Sequence, residues 1–252
     1  MIVPAHNAAA TLDDQLAALA GQDFDGPWEV VVVDHESTDG TGDLARRWQA
    51  VMPHVRVLPT RAPRGVAHPR NVGAGAAAGN RILICDADDI VAPDWVSQLV
   101  DGLRTYDVVT GPLDRALLND PEHHAWMAPE PAPVDGRPPP DYGYLPYPSG
   151  GNMGVRRPVL EALRGFDPSV SGKEDIDFDW RAIEAGYTIG FVPGAVIHYR
   201  MRGDLFGAAR QRFYRAQAEP LLYRRYRRAA CSASRCPTSG APTATSCTRC
   251  RG

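Results

Sequence analysis

The sequence predicts an α/β fold in which helices flank a largely parallel sheet. Short apolar runs alternate with segments whose apolar residues recur at helical spacing, which is typical of sheets built from strand–helix–strand units. The 252 residues are 44% hydrophobic and 23% charged, which suits one globular domain with a sizeable core. Two of the apolar runs end on carboxylates, Asp34 and Asp86. Ligands of such sheets bind beyond the carboxyl ends of the strands, where these two residues fall.

Four apolar runs predict buried strands, at residues 28–34, 55–59, 81–86 and 106–111. Leu12, Leu16 and Leu19 have the spacing of a helix ahead of the first of these runs. The segment "RRPVLEALRGF" predicts a helix with Pro158 near its start and Gly165 near its end. The next segment, "GKEDIDFDWRAIEAGY", predicts a helix whose acidic first turn faces the positive end of the helix dipole.

The region between these two groups of elements is less regular. Residues 119–150 are rich in Pro, Gly and Tyr and are too long for a simple connection. We interpret them as a functional loop over the site, with a disordered linker as the alternative.

Charge divides the chain into two unlike parts. Residues 1–195 carry 15 Lys and Arg against 28 Asp and Glu, a net −13, whereas residues 196–252 carry 12 Arg against two acids, a net +10. Residues 203–230 are basic and aromatic and predict an amphipathic helical segment. This segment either packs on its own acidic domain, which we favour, or makes peripheral contact with anionic lipid or an acidic partner. No nucleic-acid partner is predicted.

The last 22 residues contain four of the five cysteines, no acid and no apolar pattern. We interpret residues 231–252 as a disordered tail, for which a shifted reading frame is one origin. A zinc site is the alternative, and its ligands would be Cys231, Cys236, Cys247 and Cys250. The loose first spacing and the lack of apolar residues around it count against zinc.

Several features favour the cytoplasm as the location. No apolar run approaches the roughly 18 residues of a membrane span, and the N-terminus lacks the basic and apolar regions of a signal peptide. Only Cys85 occurs in the first 230 residues, so no disulfide framework is predicted. Peripheral contact with the inner face of the membrane would come through residues 203–230.

The segment "RILICDADDIVAPDW" has an apolar run that ends on three carboxylates, Asp86, Asp88 and Asp89. Hard oxygen ligands at positions 86 and 88 can hold a ribose hydroxyl and a divalent ion such as Mg²⁺ or Mn²⁺. The alternative is a capped turn, in which Asp89 or Asp94 accepts hydrogen bonds from helix amides.

A second acidic cluster lies in "KEDIDFDW", where Glu174 and Asp175 occupy a predicted helix start. At least one of these carboxylates can point into a cleft and accept a proton. The alternative is an ordinary acidic helix start with no role in chemistry.

Seven segments occur together in one order: "IVPAHNA", "VVVDHESTDGT", "HPRNVGAG", "ICDADDIVAPDW", "SGGNMGVRR", "GFDPSVSGKEDIDFDWRAIEAGY" and "VIHYRMR". In this order the chain resembles glycosyltransferase family 2, the inverting enzymes of GT-A fold that use nucleotide-sugar donors. The resemblance spans about residues 2–202 and implies a Rossmann-like central sheet. It implies a nucleotide-sugar-binding half at 1–118 and an acceptor and catalytic half at 151–202, joined by the 119–150 loop.

The resemblance implies a set of residues around the nucleotide sugar: Pro4, Ala5, His6, Asn7, Asp34, Arg64, Arg70, Asn71, Asp86 and Ala87. Two positions depart from the family pattern, because His6 replaces a common Tyr and His35 replaces a second acid. The resemblance favours a UDP-sugar as the donor. Because the two departures affect the nucleobase contact, a GDP-sugar stays open.

The metal ligands implied by the resemblance are Asp88, Asp86 and His198, and the ion is Mn²⁺ or Mg²⁺. The acceptor pocket implied is bordered by Gly150, Gly151, Asn152 and Trp180. Asp175 is implied as the base that takes the proton of the acceptor hydroxyl, with Glu174 at the rim orienting the acceptor.

Two other functions stay open at this point. A nucleotidyltransferase can share the fold and the acidic metal ligands, but it normally has a glycine-rich basic loop that "PAHNAAATLDD" lacks. A non-catalytic module that binds nucleotide sugars is the other alternative, and the retention of Asp88 and Asp175 counts against it.

Overall fold

The computed structural model describes residues 1–61, 65–121, 144, 145, 147, 149–202 and 205–233. Within these residues a seven-stranded sheet forms the centre of the molecule and a three-stranded sheet lies at one side. The strands are β1 (Ile2–Ala5), β2 (Val30–His35), β3 (Val55–Thr60), β4 (Arg81–Cys85), β5 (Ile90–Val91), β6 (Val108–Thr110), β7 (Leu113–Asp114), β8 (Asn152–Arg156), β9 (Ile189–Phe191) and β10 (Ile197–His198).

The described helices are α1 (Leu12–Ala20), α2 (Thr41–Arg47), α3 (Ala67–Ala76), α4 (Trp95–Thr105), α5 (Arg157–Ala162), α6 (Glu174–Glu184), α7 (Leu205–Ala216) and α8 (Glu219–Ala233). Among them none is long and apolar enough to span a membrane. Pro158 lies in the first turn of α5, and Gly165 follows that helix with a φ of 71°, where a glycine is favoured.

The central sheet has the strand order β3-β2-β1-β4-β8-β6-β9. The first four strands are parallel, β8 runs antiparallel to both neighbours, and β9 is parallel to β6. The predicted mostly parallel sheet is therefore confirmed. The small sheet has the order β5-β10-β7 and follows the acidic end of β4 in the chain.

The valines of β2 explain why the central strands are apolar along their whole length. Val30 and Val32 pack into one hydrophobic cluster, while Val31 and Val33 pack into another. Because successive side chains of a strand point to opposite faces, helices must cover the sheet on both sides. The sequence predicts this strand at residues 28–34. In the structure it begins at Val30 and ends at His35.

The C-terminal helix α8 packs on the body of the protein. Leu222 and Tyr226 join Ile176 and Trp180 in a small apolar cluster. Arg225 forms ion pairs with two acids of the body, Asp167 and Asp177. For α8 the contacts are therefore those of a helix packed on its own acidic domain.

Helix α8 also moves the boundary predicted for the tail. It continues through Ala233, so residues 231–233 are helical and not disordered as predicted. Cys236, Cys247 and Cys250 lie outside the described residues, as does most of the 119–150 loop.

Candidate active site

The carboxyl ends of β1, β2 and β4 meet at one edge of the sheet, because the three strands are parallel. The Nδ1 atom of His6 lies 2.5 Å from the carbonyl oxygen of His35, which joins the first two of these ends. The Asn7 backbone has a φ of 50°, and its side-chain oxygen accepts a hydrogen bond from the Thr38 amide. The loops after β1 and β2 are thus held together beside the end of β4.

The predicted nucleotide residues occupy this edge in different ways. Pro4 and Ala5 are buried within β1, whereas His6 and Asn7 are exposed after it. Asp34 is half-buried, and its Oδ1 accepts a hydrogen bond from the Ser37 amide. Their contacts with a nucleotide stay predictions.

Asp86, Asp88 and Asp89 bring three carboxylates together directly after β4. One oxygen from each lies within 4.8 Å of the others. Burial, followed by the charge of Asp86, raises the pKa of Asp88, and the same two causes raise the pKa of Asp89 to about 8. These are hard oxygen donors whose mutual repulsion a cation would relieve, so the cluster fits the predicted Mn²⁺ or Mg²⁺.

The alternative of a capped turn is wrong for Asp89 and Asp94. Asp89 is buried, and its Oδ1 accepts a hydrogen bond from the backbone amide of Arg200 at 2.8 Å. Asp94 is the N-cap residue of α4, but its side chain caps no helix amide and accepts a hydrogen bond from Gln98 instead.

Two arginines beyond β10 reach the same carboxylates. Arg202 forms an ion pair with Asp88 at 3.1 Å, and Arg200 donates to the Asp88 carbonyl oxygen at 2.9 Å. Neither arginine was predicted to have a role. The available signal was "VIHYRMR", in which two arginines directly follow a short apolar run.

His198 lies on β10, which pairs with β5 just after the acidic cluster. Its Nδ1 atom is 2.7 Å from Oδ2 of Asp114, so the ring is oriented by a carboxylate. His198 is not among the three residues whose oxygens come together. Its role as a metal ligand stays a prediction.

Arg70 links the acidic end of β4 to the acidic start of α6. Its Nη1 donates to Glu174 at 2.8 Å and its Nη2 donates to Asp86 at 3.3 Å, and the side chain is only 3% exposed. A buried guanidinium needs such partners, because an unpaired buried charge is strongly destabilising. The two acidic clusters found in the sequence therefore form one site.

Glu174 is part of this buried link and does not lie at the rim. Its side chain is 4% exposed, and its Oε2 also accepts a hydrogen bond from the Gly172 amide. Burial raises the pKa of Glu174, and the charge of Arg70 opposes that rise. The expected rim position is wrong because the helix start packs inward against Arg70.

Asp175, by contrast, is half-buried and faces the turn before β8. Its Oδ2 accepts a hydrogen bond from the Gly150 amide at 3.0 Å, and its Oδ1 accepts one from the Ile176 amide. A Cβ atom at Gly150 would lie 2.7 Å from the Cβ of Asp175 and 2.6 Å from Arg70. A Cβ atom at Gly151 would lie 2.6 Å from Oδ2 of Asp86. The two predicted glycines therefore fit between the acidic clusters only because they lack side chains.

Asn152 and Trp180, both predicted at the acceptor pocket, are buried side chains. Asn152 is fully buried, accepts a hydrogen bond from the Trp95 indole, and donates to the carbonyl oxygens of Pro112 and Ala195. Trp180 is 3% exposed and donates to the carbonyl oxygen of Leu145. Their contact with an acceptor stays a prediction.

Asn71 and Arg64 are two further residues predicted around the nucleotide sugar. The Asn71 side chain forms two hydrogen bonds with the backbone of Phe166. It donates to the Phe166 carbonyl oxygen at 2.7 Å and accepts from the Phe166 amide at 2.9 Å. Its contact with the donor stays a prediction. Arg64 lies outside the described residues.

Asp179 is a buried carboxyl group that the sequence analysis did not single out. It is fully buried in α6, and neither carboxylate oxygen has a hydrogen-bond partner within the described residues. Burial, and then the charge of Asp175, raise the pKa of Asp179 well above its usual range. The pattern "DIDFD" places acids at alternate positions, but it does not tell which of them faces the core.

Comparison with known proteins assigns the chain to a family. The model of the family described as "Glycosyl transferase family 2" matches residues 1–164. Among curated relatives, the probable glycosyltransferase YdaM of Bacillus subtilis is 25% identical over 78% of this chain and 49% of its own length. The pre-mycofactocin glycosyltransferase of Mycobacterium tuberculosis is 26% identical over 89% of this chain and 47% of its own length. The chain thus spans about half the length of these two relatives.

Solved structures support the same fold. The mannosyltransferase PcManGT from Pyrobaculum calidifontis, in complex with GDP-Man and Mn²⁺, has a TM-score of 0.65 and 28% identity, covering 84% of this chain and 59% of its own. Staphylococcus aureus TarS has a TM-score of 0.59 and 22% identity, covering 80% and 36%. The predicted GT-A fold and the resemblance stated from the sequence are confirmed.

Proposed function

The chain belongs to glycosyltransferase family 2, and we propose that it transfers a sugar from a nucleoside-diphosphate sugar to an acceptor hydroxyl with inversion. The observation that carries this proposal is the Arg70 link. It holds Asp86, at the end of β4, and Glu174, at the start of α6, against one guanidinium. The residues predicted to contact the nucleotide and the acids predicted to handle the proton therefore lie near each other, which supports a transfer between donor and acceptor.

Asp175 is the group that we assign to proton transfer. It is the less buried acid of the pair, and the Gly150 amide fixes the orientation of its carboxylate. In a single displacement, the acceptor oxygen forms a bond to the anomeric carbon as the bond from that carbon to the diphosphate breaks. The hydroxyl proton moves to Asp175 at the same time.

Positive charge would stabilise the departing diphosphate. Asp86 and Asp88 would hold Mn²⁺ or Mg²⁺, which when bound supplies that charge. Two cationic side chains lie at these carboxylates, Arg202 at Asp88 and Arg70 at Asp86. A UDP-sugar is the favoured donor. A GDP-sugar is the alternative, because the structural neighbour at 28% identity was solved with GDP-Man.

The roles of the two acids are tested by Asp175→Asn and Glu174→Gln. Asn keeps the size of Asp and cannot take the proton, so donor affinity should survive while transfer falls on the order of 10²–10⁴-fold. Glu174→Gln should instead lower the melting temperature, because it removes the carboxylate that pairs with buried Arg70. The exposed Asp101→Asn is a matched control that should change neither property.

Steady-state transfer, donor binding and thermal unfolding are measured on all three variants. One outcome would reverse the assignment of the base. In that outcome Glu174→Gln is folded but has no turnover, while Asp175→Asn keeps more than about a tenth of the parent's turnover.

A further inference from the structure

Helix α7 presents an apolar stripe to solvent. Phe206, Ala209, Phe213 and Ala216 recur at spacings of three and four residues, which places them on one helix face. All four are exposed, and Phe206 and Phe213 are 80% and 70% exposed. A stripe of this spacing normally faces a core. Here it faces away from the protein.

Arginines flank the stripe on both sides. At about 100° per residue, Arg210 lies on one side of Phe206 and Arg212 lies on the other side of Phe213. Both arginines are exposed, and α7 contains no acidic residue. The whole segment from 196 to 252 has a net charge of +10, on a chain whose other part carries −13. The free face of α7 therefore combines aromatic side chains with positive charge.

The opposite face of α7 is seated beside the candidate active site. Gln211 and Tyr214 are half-buried there, and the Tyr214 hydroxyl hydrogen-bonds the Ser171 hydroxyl. A Cβ atom at Gly172 would lie 3.3 Å from the Cα of Arg215. Residues 171 and 172 lead directly into α6, which begins with Glu174 and Asp175. Whatever binds the free face of α7 thus lies close to the acidic helix start.

We infer that α7 docks on an anionic lipid bilayer, with Phe206 and Phe213 in the headgroup and acyl boundary and with Arg210 and Arg212 among the lipid phosphates. Aromatic side chains flanked by arginines match both layers of such a surface. A protein partner fits less well, because a 12-residue helix is only about 18 Å long. One face of it falls well below the roughly 800 Å² that each partner buries in a stable interface.

The docked orientation has a consequence for the acceptor, which rests on the proposed transfer reaction. Because α7 contacts the bilayer with one face and the 171–172 segment with the other, the acceptor side of the site lies near the membrane surface. The acceptor hydroxyl then belongs to a molecule held in that surface, such as a glycolipid or a lipid-linked sugar.

The test is co-sedimentation of the full chain with vesicles of phosphatidylcholine alone and of phosphatidylcholine mixed with phosphatidylglycerol. Binding should require the anionic lipid and weaken with salt. The double variant Phe206→Ser/Phe213→Ser should bind anionic vesicles at least about tenfold more weakly. The matched control is Val51→Ser/Leu117→Ser, which removes two other exposed apolar side chains and should bind like the parent. Arg210→Gln/Arg212→Gln keeps the apolar stripe and should lose mainly the preference for anionic lipid.

Three results would overturn the inference. One is equal binding to both vesicle types, and another is an equal loss of binding in the control variant. The third is a dimer, seen by analytical ultracentrifugation, that the Phe206→Ser/Phe213→Ser variant abolishes, which would make the stripe a contact between copies of this chain. Donor binding measured on the same variants distinguishes a failure of membrane docking from a failure of the proposed sugar transfer. A Phe variant that binds nucleotide sugar but not vesicles supports docking, whatever the outcome for sugar transfer.

Discussion

Asp179 is a carboxyl group whose burial has a measurable cost. It lies in the interior of α6 with no hydrogen-bond partner for either oxygen within the described residues. Because burial raises its pKa in the folded state, the folded protein keeps a proton that the unfolded chain releases near pH 4. The stabilising effect of that proton is complete below pH 4 and is lost as the pH rises toward the folded-state pKa.

Asp179→Asn should therefore remove one source of pH dependence. Between about pH 4 and the folded-state pKa, the parent should lose up to about 1.4 kcal/mol of unfolding free energy per pH unit through this residue. The amide of Asn does not titrate, so the difference between variant and parent should grow with pH. Urea unfolding at pH 5 and pH 8 measures it, with Asp101→Asn as the exposed control. Parallel losses in parent and variant would contradict the buried-acid assignment.

Gly151 tests how closely the turn before β8 must approach Asp86. A methyl group there would lie 2.6 Å from the carboxylate, so Gly151→Ala should displace Asp86 and lower transfer on the order of 10²-fold. Gly75→Ala is a matched control, because a Cβ atom at Gly75, inside α3, meets nothing within 4 Å. That control should keep full activity and stabilise the fold by up to about 1 kcal/mol. Equal activity in both variants, measured in one transfer assay, would show that the close approach is unimportant.

The site residues differ in how far the sequence could predict them. Asp86 and Asp88 follow a strand and Glu174 and Asp175 begin a helix, so local pattern was enough to select them as candidates. That Glu174 faces Arg70 depends on how α6 packs against α3, and no local pattern holds that information. The contacts of Arg200 and Arg202 depend on a strand more than a hundred residues away from Asp88.

Helix α8 is the element whose contribution to stability is most open to test. Truncation after Ala233 should change the melting temperature by no more than about one or two degrees, since the sequence of residues 234–252 has no acid and no apolar periodicity that predicts packing. Truncation after Gln217 removes buried Leu222 and Tyr226 and the ion pairs of Arg225. It should lower the free energy of unfolding by at least about 3 kcal/mol, given about 1.5–3 kcal/mol for each large apolar side chain. Equal melting temperatures for both truncations would contradict this packing.

The elements themselves were predicted unevenly. Four strands, β2, β3, β4 and β6, were predicted close to their observed bounds, because each is a short apolar run. The four runs that predict strands do not include the other six strands. For residues 203–230 the sequence supports two interpretations, because an amphipathic pattern does not tell whether protein or lipid covers the apolar face. The structure shows different surroundings for the two helices: α8 buries Leu222 and Tyr226 against the body, whereas α7 exposes Phe206 and Phe213. Contact of α7 with lipid stays a proposal.

In the whole molecule, the acidic body carries the candidate site and the basic C-terminal helices pack against it. The parallel strands carry the loops of the edge predicted to hold the nucleotide, and Arg70 connects that edge to the acidic start of α6. The C-terminal helices cover the far side of the acidic helix start, through Tyr214 on α7 and Arg225 on α8. The division of the body into halves at 1–118 and 151–202 stays a prediction.

We propose that the linked acidic site binds and cleaves a nucleoside-diphosphate sugar. The most direct measurement is the release of free nucleotide from a panel of UDP-sugars and GDP-sugars, with and without Mn²⁺, by the parent, Asp88→Asn and the Asp101→Asn control. We predict that the parent and the control release UDP or GDP from at least one donor only when Mn²⁺ or Mg²⁺ is present, and that Asp88→Asn reduces this release on the order of 10²-fold or more. Metal-independent release that Asp88→Asn leaves unchanged would contradict the account, as would pyrophosphate release from a nucleoside triphosphate by a protein that ignores every nucleotide sugar.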